Sequence, residues 1–179
     1  MTASTPTRAV HVVGGGELSP TVDRALTTVA ASASSACVVA RVPGRTPLTE
    51  LTDARLAEEV GGALEAVLAS VQGELAHLRP GGRLVFVLPA EPLMAVPGGA
   101  AASAVTNGVL SMARTLSIEL ARDAVAVNVL AVAAEDANAI DPAGPLAAQL
   151  AALLGPGGER ITGQEIYLTG GSDLGRLRP

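Results

Sequence analysis

Short apolar runs alternate with helical patterns along this chain, and this alternation constrains the fold more than any other feature. Strand-like runs occupy residues 9–13, 36–42, 84–88, 124–131 and 161–168. Helical patterns occupy residues 20–33, 53–78 and 103–121, with a shorter one near 146–154. The run at 84–88 is apolar throughout, which is typical of a strand covered on both faces. The pattern predicts an α/β fold with a doubly wound parallel sheet and right-handed crossovers.

The composition limits which residues can form the core and which kinds of partner the protein can bind. The chain of 179 residues suits one domain, 1–179, in which 49% of residues are hydrophobic and 1% are aromatic. The core must therefore consist mainly of Ala, Val and Leu. The net charge of −5 comes without a run of like charges, and Phe86 and Tyr167 are the aromatic residues. Without a basic patch or a platform for stacking bases, nucleic acid is excluded as a partner.

Lysine is absent from the sequence, since all 12 basic residues are Arg. Its absence excludes a Schiff-base lysine and the lysine of a P-loop. The one cysteine, Cys37, cannot form an intramolecular disulfide and is interpreted as a small buried hydrophobic residue. Residues 1–13 lack the long apolar stretch of a signal peptide or membrane span, so we expect a cytoplasmic protein with no membrane partner.

Several segments carry a specific resemblance. Segment 80–123 runs from a Pro-Gly-Gly-Arg turn through an apolar strand and a Pro-Gly loop into a long helix. Downstream follow the sequences AVNV at 126–129 and ITGQ at 161–164, with Gly-Gly at 170–171; upstream, PLTELTD stands at 47–53. These segments resemble the central strands, active-site helix and C-terminal strand of the short-chain dehydrogenase/reductase (SDR) family. The resemblance covers about two-thirds of the chain and needs no gap from Val38 to about Leu130.

The register of this resemblance predicts an abbreviated sheet. It places residues 38–44 on the fourth strand of the SDR fold and leaves room for one helix after the first strand. The second and third family strands are therefore missing, and we expect a Rossmann-like sheet of about five strands in the family order 1-4-5-6-7. The same abbreviation is similar to the non-catalytic SDR-like domain of high-molecular-weight ketoacyl-carrier-protein reductases, and to the truncated structural subdomain of modular polyketide ketoreductases.

The resemblance also implies that the redox machinery is lost. Active SDR enzymes use a tyrosine, a lysine, a serine and an asparagine, and the register places these on Ala102, Thr106, Pro89 and Ala63. None of these four residues has the required chemistry. We therefore expect no catalytic residues of the SDR type.

Cofactor binding is not expected either. Gly14, Gly15 and Gly16 follow the first strand, where the family binds a pyrophosphate, but Glu17 would place a negative charge beside it. The strand that carries the residue reading the ribose is missing in this register. We interpret the three glycines as a tight turn and as weak candidates for a cofactor site.

Other polar residues give weaker signals. His11 and His77 are far apart in the sequence and have no Cys or paired carboxylate at ligand spacing, so no metal site is expected. Glu91, Glu135 and Asp136 follow predicted strands at the carboxyl edge of the sheet, where α/β proteins bind ligands. They are alternative acid/base groups, although solvated loop carboxylates are common.

Three functions remain open. The leading hypothesis is a non-catalytic subunit that pairs with an active SDR ketoreductase, or with itself, in fatty-acid or polyketide metabolism. The second is an enzyme whose vacated cleft performs non-redox chemistry, such as cyclisation, isomerisation or dehydration of an acyl or polyketide intermediate. The third is a small-molecule binding module.

The two long helices are predicted to form the association surface. Each has a stripe of small or modest residues at steps of three and four, which permits a close helix crossing. The stripes consist of Ala63, Ala66, Ser70, Gly73 and His77 on the first helix, and of Ala104, Gly108, Ser111 and Thr115 on the second. The corresponding SDR helices pair across a two-fold axis, so Gly108→Arg is expected to yield a folded monomer. The alternative is that the stripes seat the two helices against each other within one chain.

The first strand should lie at a sheet edge in this arrangement, and its unpaired backbone groups require a cover. Residues 2–7 or another chain are expected to provide it.

Overall fold

The computed structural model describes residues 9–133 and 143–171, and their strands form one parallel sheet of five strands. The strands are β1 (Val10–Val13), β2 (Ser35–Val39), β3 (Arg83–Pro89), β4 (Ala126–Val132) and β5 (Glu165–Leu168). They lie in the order β1-β2-β3-β4-β5, and each neighbouring pair is parallel. No strand stands between β1 and β2, so the predicted abbreviated order is confirmed.

Helices cover both faces of the sheet. They are α1 (Ser19–Leu26), α2 (Asp53–Leu56), α3 (Gly62–Leu78), α4 (Ala100–Glu119) and α5 (Ala143–Leu154). A π-helical turn, Ala57–Gly61, joins α2 to α3, so the predicted helix 53–78 is continuous but changes its pitch. None of the described helices is long and apolar enough to cross a membrane.

The sheet separates two hydrophobic cores. On one face, Val38 and Phe86 pack with Val67 of α3 and Val105 of α4. On the other face, Val39 and Val85 pack with Val22 of α1 and Leu150 of α5. Successive strand residues point to opposite faces, which explains why β2, β3 and β4 are apolar at almost every position. Each fully buried Val or Leu stabilises the fold by about 1.5–3 kcal/mol.

The crossovers do not all have the same hand. Every connection moves in the same direction across the sheet, yet α1 and α5 pack on one face and α3 and α4 on the other. Two of the four connections therefore have the opposite hand to the other two, and the prediction of uniformly right-handed crossovers is wrong. Helices thus occupy both faces of a sheet whose strands follow one another in chain order.

Two predicted boundaries differ from those in the structure. The fifth strand begins at Glu165 rather than at 161, because the buried amide of Asn128 donates to the carbonyl of Ile161 (2.7 Å) and accepts from the N–H of Gln164 (3.0 Å). Helix α1 ends at Leu26, well before the predicted residue 33. Its N-cap is Leu18, and the Ser19 hydroxyl is buried with no hydrogen-bond partner in the described part of the chain.

Strand β1 lies at one edge of the sheet within the described residues, as predicted. Its residues are half-buried or exposed. The proposed cover by residues 2–7 falls outside the part of the chain that the structure describes.

Candidate functional site

The glycine turn after β1 packs directly against the backbone of β2. The N–H of Gly16 donates to the carbonyl of Val39 at 3.1 Å. A Cβ added at Gly16 would lie 2.2 Å from the carbonyl oxygen of Ala40, and one at Gly14 would lie 2.5 Å from that of Val39. Gly14 also has a φ of +95°. These two glycines are therefore required by contact within the sheet, as the interpretation as a tight turn predicts.

A small cleft lies between this turn and the carboxyl ends of β2, β3 and β4. Its lining includes Glu17, Leu18, Val42, Pro89 and Val132, and its volume is about 60 Å³. Sites for small molecules and cofactors usually have volumes of about 300–1,000 Å³. The part of the cleft that the described residues line is smaller than this range.

The middle of the sheet's carboxyl end is closed by packing from α4. Ala102 and Thr106 of this helix are both buried. The Thr106 hydroxyl donates to the carbonyl of Ala102 at 3.0 Å and lies 3.3 Å from that of Ser103. The one donor of this hydroxyl is therefore used inside its own helix.

A larger cleft of about 470 Å³ opens beside β1. It lies between the glycine turn, the segment after β2 and the π-helical turn, with Gly14, Arg41, Glu58, Glu59 and Ala63 in its lining. One carboxylate oxygen of Glu59 accepts from Nε (2.9 Å) and Nη2 (2.6 Å) of Arg55. The other oxygen is buried and has no hydrogen-bond partner in the described part of the chain. This cleft has the size and the charged groups of a ligand site.

Solved structures resemble this architecture, although no family model and no curated protein sequence matches the chain. The promiscuous reductase LugOII, which catalyses keto-reduction at C1 during lugdunomycin biosynthesis, is 23% identical with a TM-score of 0.66 and matches 78% of this chain and 60% of its own. A short-chain dehydrogenase family protein from Francisella tularensis is 16% identical with a TM-score of 0.65, covering 87% of this chain and 76% of that one.

A third similar structure is the carveol dehydrogenase of Mycobacterium avium in complex with NAD, at 16% identity and a TM-score of 0.64. It covers 77% of this chain and 65% of the dehydrogenase. The chain has the SDR fold. It spans about 60% of the length of the LugOII reductase.

The four residues that the resemblance aligns with the family's catalytic residues lie in different surroundings. Ala102 and Thr106 belong to the core, Pro89 lines the small cleft and Ala63 lines the larger one. The residues around the glycine turn do not fit NAD(P): the space is small, Glu17 borders it, and β1 has no neighbouring strand on its outer side among the described residues.

Of the three predicted acid/base groups, the structure describes Glu91. Glu91 is exposed, forms an ion pair with Arg45 and lines neither cleft. Glu135 and Asp136 lie outside the described residues. Glu59 was missed from the sequence because the π-helical turn interrupts the regular helical period that a pattern reveals. A Glu-Glu pair before two glycines is too common to predict a site.

The two histidines are neighbours in the fold although they are far apart in the sequence. The rings of His11 on β1 and His77 on α3 stack with their centroids 4.0 Å apart and their planes within 9°. Glu74 Oε2 lies 2.7 Å from His11 Nδ1. The packing of α3 beside the edge strand brings the two rings and this carboxylate together.

The predicted association stripes are divided between solvent and the chain itself. Ala66 and Gly73 on α3 are exposed, and so are Ala104, Ser111 and Thr115 on α4. Ala63, Ser70 and His77 are half-buried. Gly108 faces Leu64 of α3, where an added Cβ would lie 2.9 Å from a Leu64 methyl group. Gly108 therefore lies in the contact between α3 and α4 of the same chain. A substitution at this position is a poor probe of association with another chain.

Proposed function

We propose that this protein is a non-catalytic SDR-like subunit that pairs with a full-length SDR ketoreductase. The observation that carries the proposal is the closed centre of the sheet's carboxyl end. The positions where the family resemblance expects tyrosine and lysine hold Ala102 and Thr106, both buried in the core. Redox chemistry at this centre would require groups that the chain does not have there, and it contains no lysine anywhere.

The glycine turn supports the same proposal. Its close contact with Val39 and Ala40 explains Gly14 and Gly16 without a bound pyrophosphate. The cleft beside it holds about 60 Å³, far less than a cofactor needs.

The exposed side of α4 supports a protein partner. Ser111 is exposed there, and Ile118, seven residues further along the same side of the helix, is a large apolar side chain that is 79% exposed. Small residues permit a close helix crossing, and exposed apolar groups stabilise it when they are buried. The family resemblance implies that the two long helices pair across a two-fold axis. A full-length SDR would offer a matching pair of helices, in a cytoplasmic complex of fatty-acid or polyketide metabolism.

Two measurements test this proposal. The first is calorimetric titration of the protein with NADPH, for which we expect no saturable binding at millimolar concentration. The second is co-expression with any full-length SDR ketoreductase found in the genomic neighbourhood of this protein, followed by light scattering on the eluted complex. A defined stoichiometric complex supports the proposal. Micromolar NADPH binding, or reductase activity of the protein alone, would refute it.

The larger cleft favours a second candidate, non-redox chemistry on an acyl or polyketide intermediate. Glu59 offers a buried carboxylate oxygen with no described partner, and Arg41 lines the same cleft. Such a carboxylate can serve as a general acid or base. Turnover of acyl thioesters should then be lost in Glu59→Gln and retained in Glu65→Gln, which changes an exposed carboxylate on the following helix. Equal rates in both variants would remove this candidate.

A further inference from the structure

Three side chains with metal-binding chemistry converge beside the edge strand. His11 belongs to β1, while Glu74 and His77 lie one turn apart on α3. One ligand atom from each side chain lies within 4.8 Å of the other two. The side chain of Glu74 is 15% exposed and that of His11 is 45% exposed. The group is therefore sheltered on the helix side and open on the strand side.

Packing alone leaves one of these groups unexplained. Nε2 of His77 is buried and has no hydrogen-bond partner in residues 9–133 and 143–171. Buried nitrogen and oxygen atoms in proteins are nearly always bonded, because an unpaired one costs about 1–3 kcal/mol. A stacked histidine pair, a buried unbonded ring nitrogen and a carboxylate at 2.7 Å thus occur in one place.

We propose that His11, Glu74 and His77 bind a divalent transition-metal ion, with Zn²⁺ as the best match. Two imidazole nitrogens and one carboxylate oxygen are a ligand set that suits Zn²⁺, whereas Mg²⁺ and Ca²⁺ prefer oxygen alone. Three protein ligands leave the fourth tetrahedral position for water or for a group of another molecule. The site lies outside the clefts at the sheet's carboxyl end and does not depend on the subunit role proposed above.

Metal binding requires a small movement of one ring. Parallel stacked rings cannot both direct an in-plane lone pair at the same ion. In a tetrahedral zinc site the ligands lie about 2.0–2.2 Å from the ion, so neighbouring ligand atoms are about 3.4 Å apart. His11 is the ring that can rotate, because it is partly exposed. The bound ion would tie the edge strand to α3.

The sequence makes the experiment unusually clean, because the chain contains two histidines and one cysteine, and Cys37 is fully buried. A tag-free protein is titrated with Zn²⁺ by calorimetry and followed by NMR of the imidazole ring protons. We expect one equivalent to bind, the ring signals of both histidines to shift, and the melting temperature to rise. Mg²⁺ at the same concentration should leave all three readouts unchanged.

Variants then assign the ligands. His11→Gln, His77→Gln and Glu74→Gln should each weaken Zn²⁺ binding at least about tenfold, since even the loss of a second-shell partner typically costs about 10–100-fold. Glu65→Gln is the matched control, because Glu65 is an exposed carboxylate elsewhere on α3. Circular dichroism checks that each variant is folded, and His11→Gln alters an exposed side chain, so it keeps the test valid if a helix variant unfolds.

Three results would overturn the proposal. They are the absence of saturable Zn²⁺ binding, a shift of one histidine without the other, and binding that survives unchanged in the His11→Gln/His77→Gln double variant. Any of them would mean that the stacked histidines are a packing contact.

Discussion

The hydroxyl of Thr106 donates a hydrogen bond to the carbonyl of Ala102, 3.0 Å away inside the core. The family resemblance aligns these two residues with the catalytic lysine and tyrosine of active SDR enzymes. Restoring the family's lysine with Thr106→Lys would force a charge into an apolar site without a partner. We expect a loss of about 3–5 kcal/mol of unfolding free energy and no reductase activity.

Urea denaturation measures this effect, with Asn107→Lys as control. Asn107 is exposed on the same helix, so its lysine variant should change stability by less than about 0.5 kcal/mol. A stable Thr106→Lys protein that binds NADPH would show that the centre is not closed.

Gly16→Ala tests whether the glycine turn is built for packing. The new methyl group would meet the carbonyl oxygen of Ala40 at 2.2 Å, so the turn or the strand end must move. We expect a destabilisation of about 2 kcal/mol or more, as for other overpacked sites. Gly44→Ala is the control, since nothing lies near its added Cβ and its φ is ordinary. Thermal unfolding of both variants decides the matter, and equal melting temperatures would contradict the packing account.

Ser111→Arg should weaken association while leaving the fold intact. Ser111 is exposed on α4, so an arginine there is tolerated in the free protein and obstructs a close helix crossing. Ala148→Arg on α5, which is exposed on the other side of the sheet, is the matched control. Sedimentation of each variant, alone and with the reductase partner, gives the stoichiometry. Unchanged assembly of Ser111→Arg would place the interface elsewhere.

The Gly108→Arg variant now has a different expectation. Because Gly108 faces Leu64, arginine at this position must displace a side chain within the same chain. A loss of stability in this variant therefore reports on the α3–α4 contact and says nothing about a partner.

Cys37 should be chemically inert in the folded protein. Burial, with a smaller contribution from the charge of Asp23, raises the pKa of its thiol from 9.0 to about 12. The thiolate is the reactive form, so iodoacetamide at pH 8 should modify the unfolded chain and leave the folded one intact. Mass spectrometry with and without denaturant checks this.

The raised pKa of Cys37 also predicts a pH dependence. Above about pH 8.5 the unfolded chain releases the thiol proton and the folded one keeps it, so this group lowers stability as pH rises toward 12. Cys37→Ala should show a shallower loss between pH 8.5 and 10. Rapid labelling of the native protein would contradict the buried state of the thiol.

The sequence by itself determined the alternation of strands and helices, and the resemblance to the SDR family added the order of the strands. The strands β2, β3 and β4 are apolar runs with glycine or proline nearby, and such local patterns can be recognised without knowing the neighbours. The absence of lysine and the residues at positions 102 and 106 are likewise properties of the chain alone.

Tertiary structure alone decided which distant residues meet. The stacking of His11 on His77, the seating of Gly108 on Leu64 and the late start of β5 beside Asn128 all depend on contacts between separate elements. Sequence spacing carries no information on these contacts, because they are set by how helices and loops pack across the sheet. The opposite hands of the crossovers have the same origin, since the face that each helix covers is chosen by the burial of its apolar side.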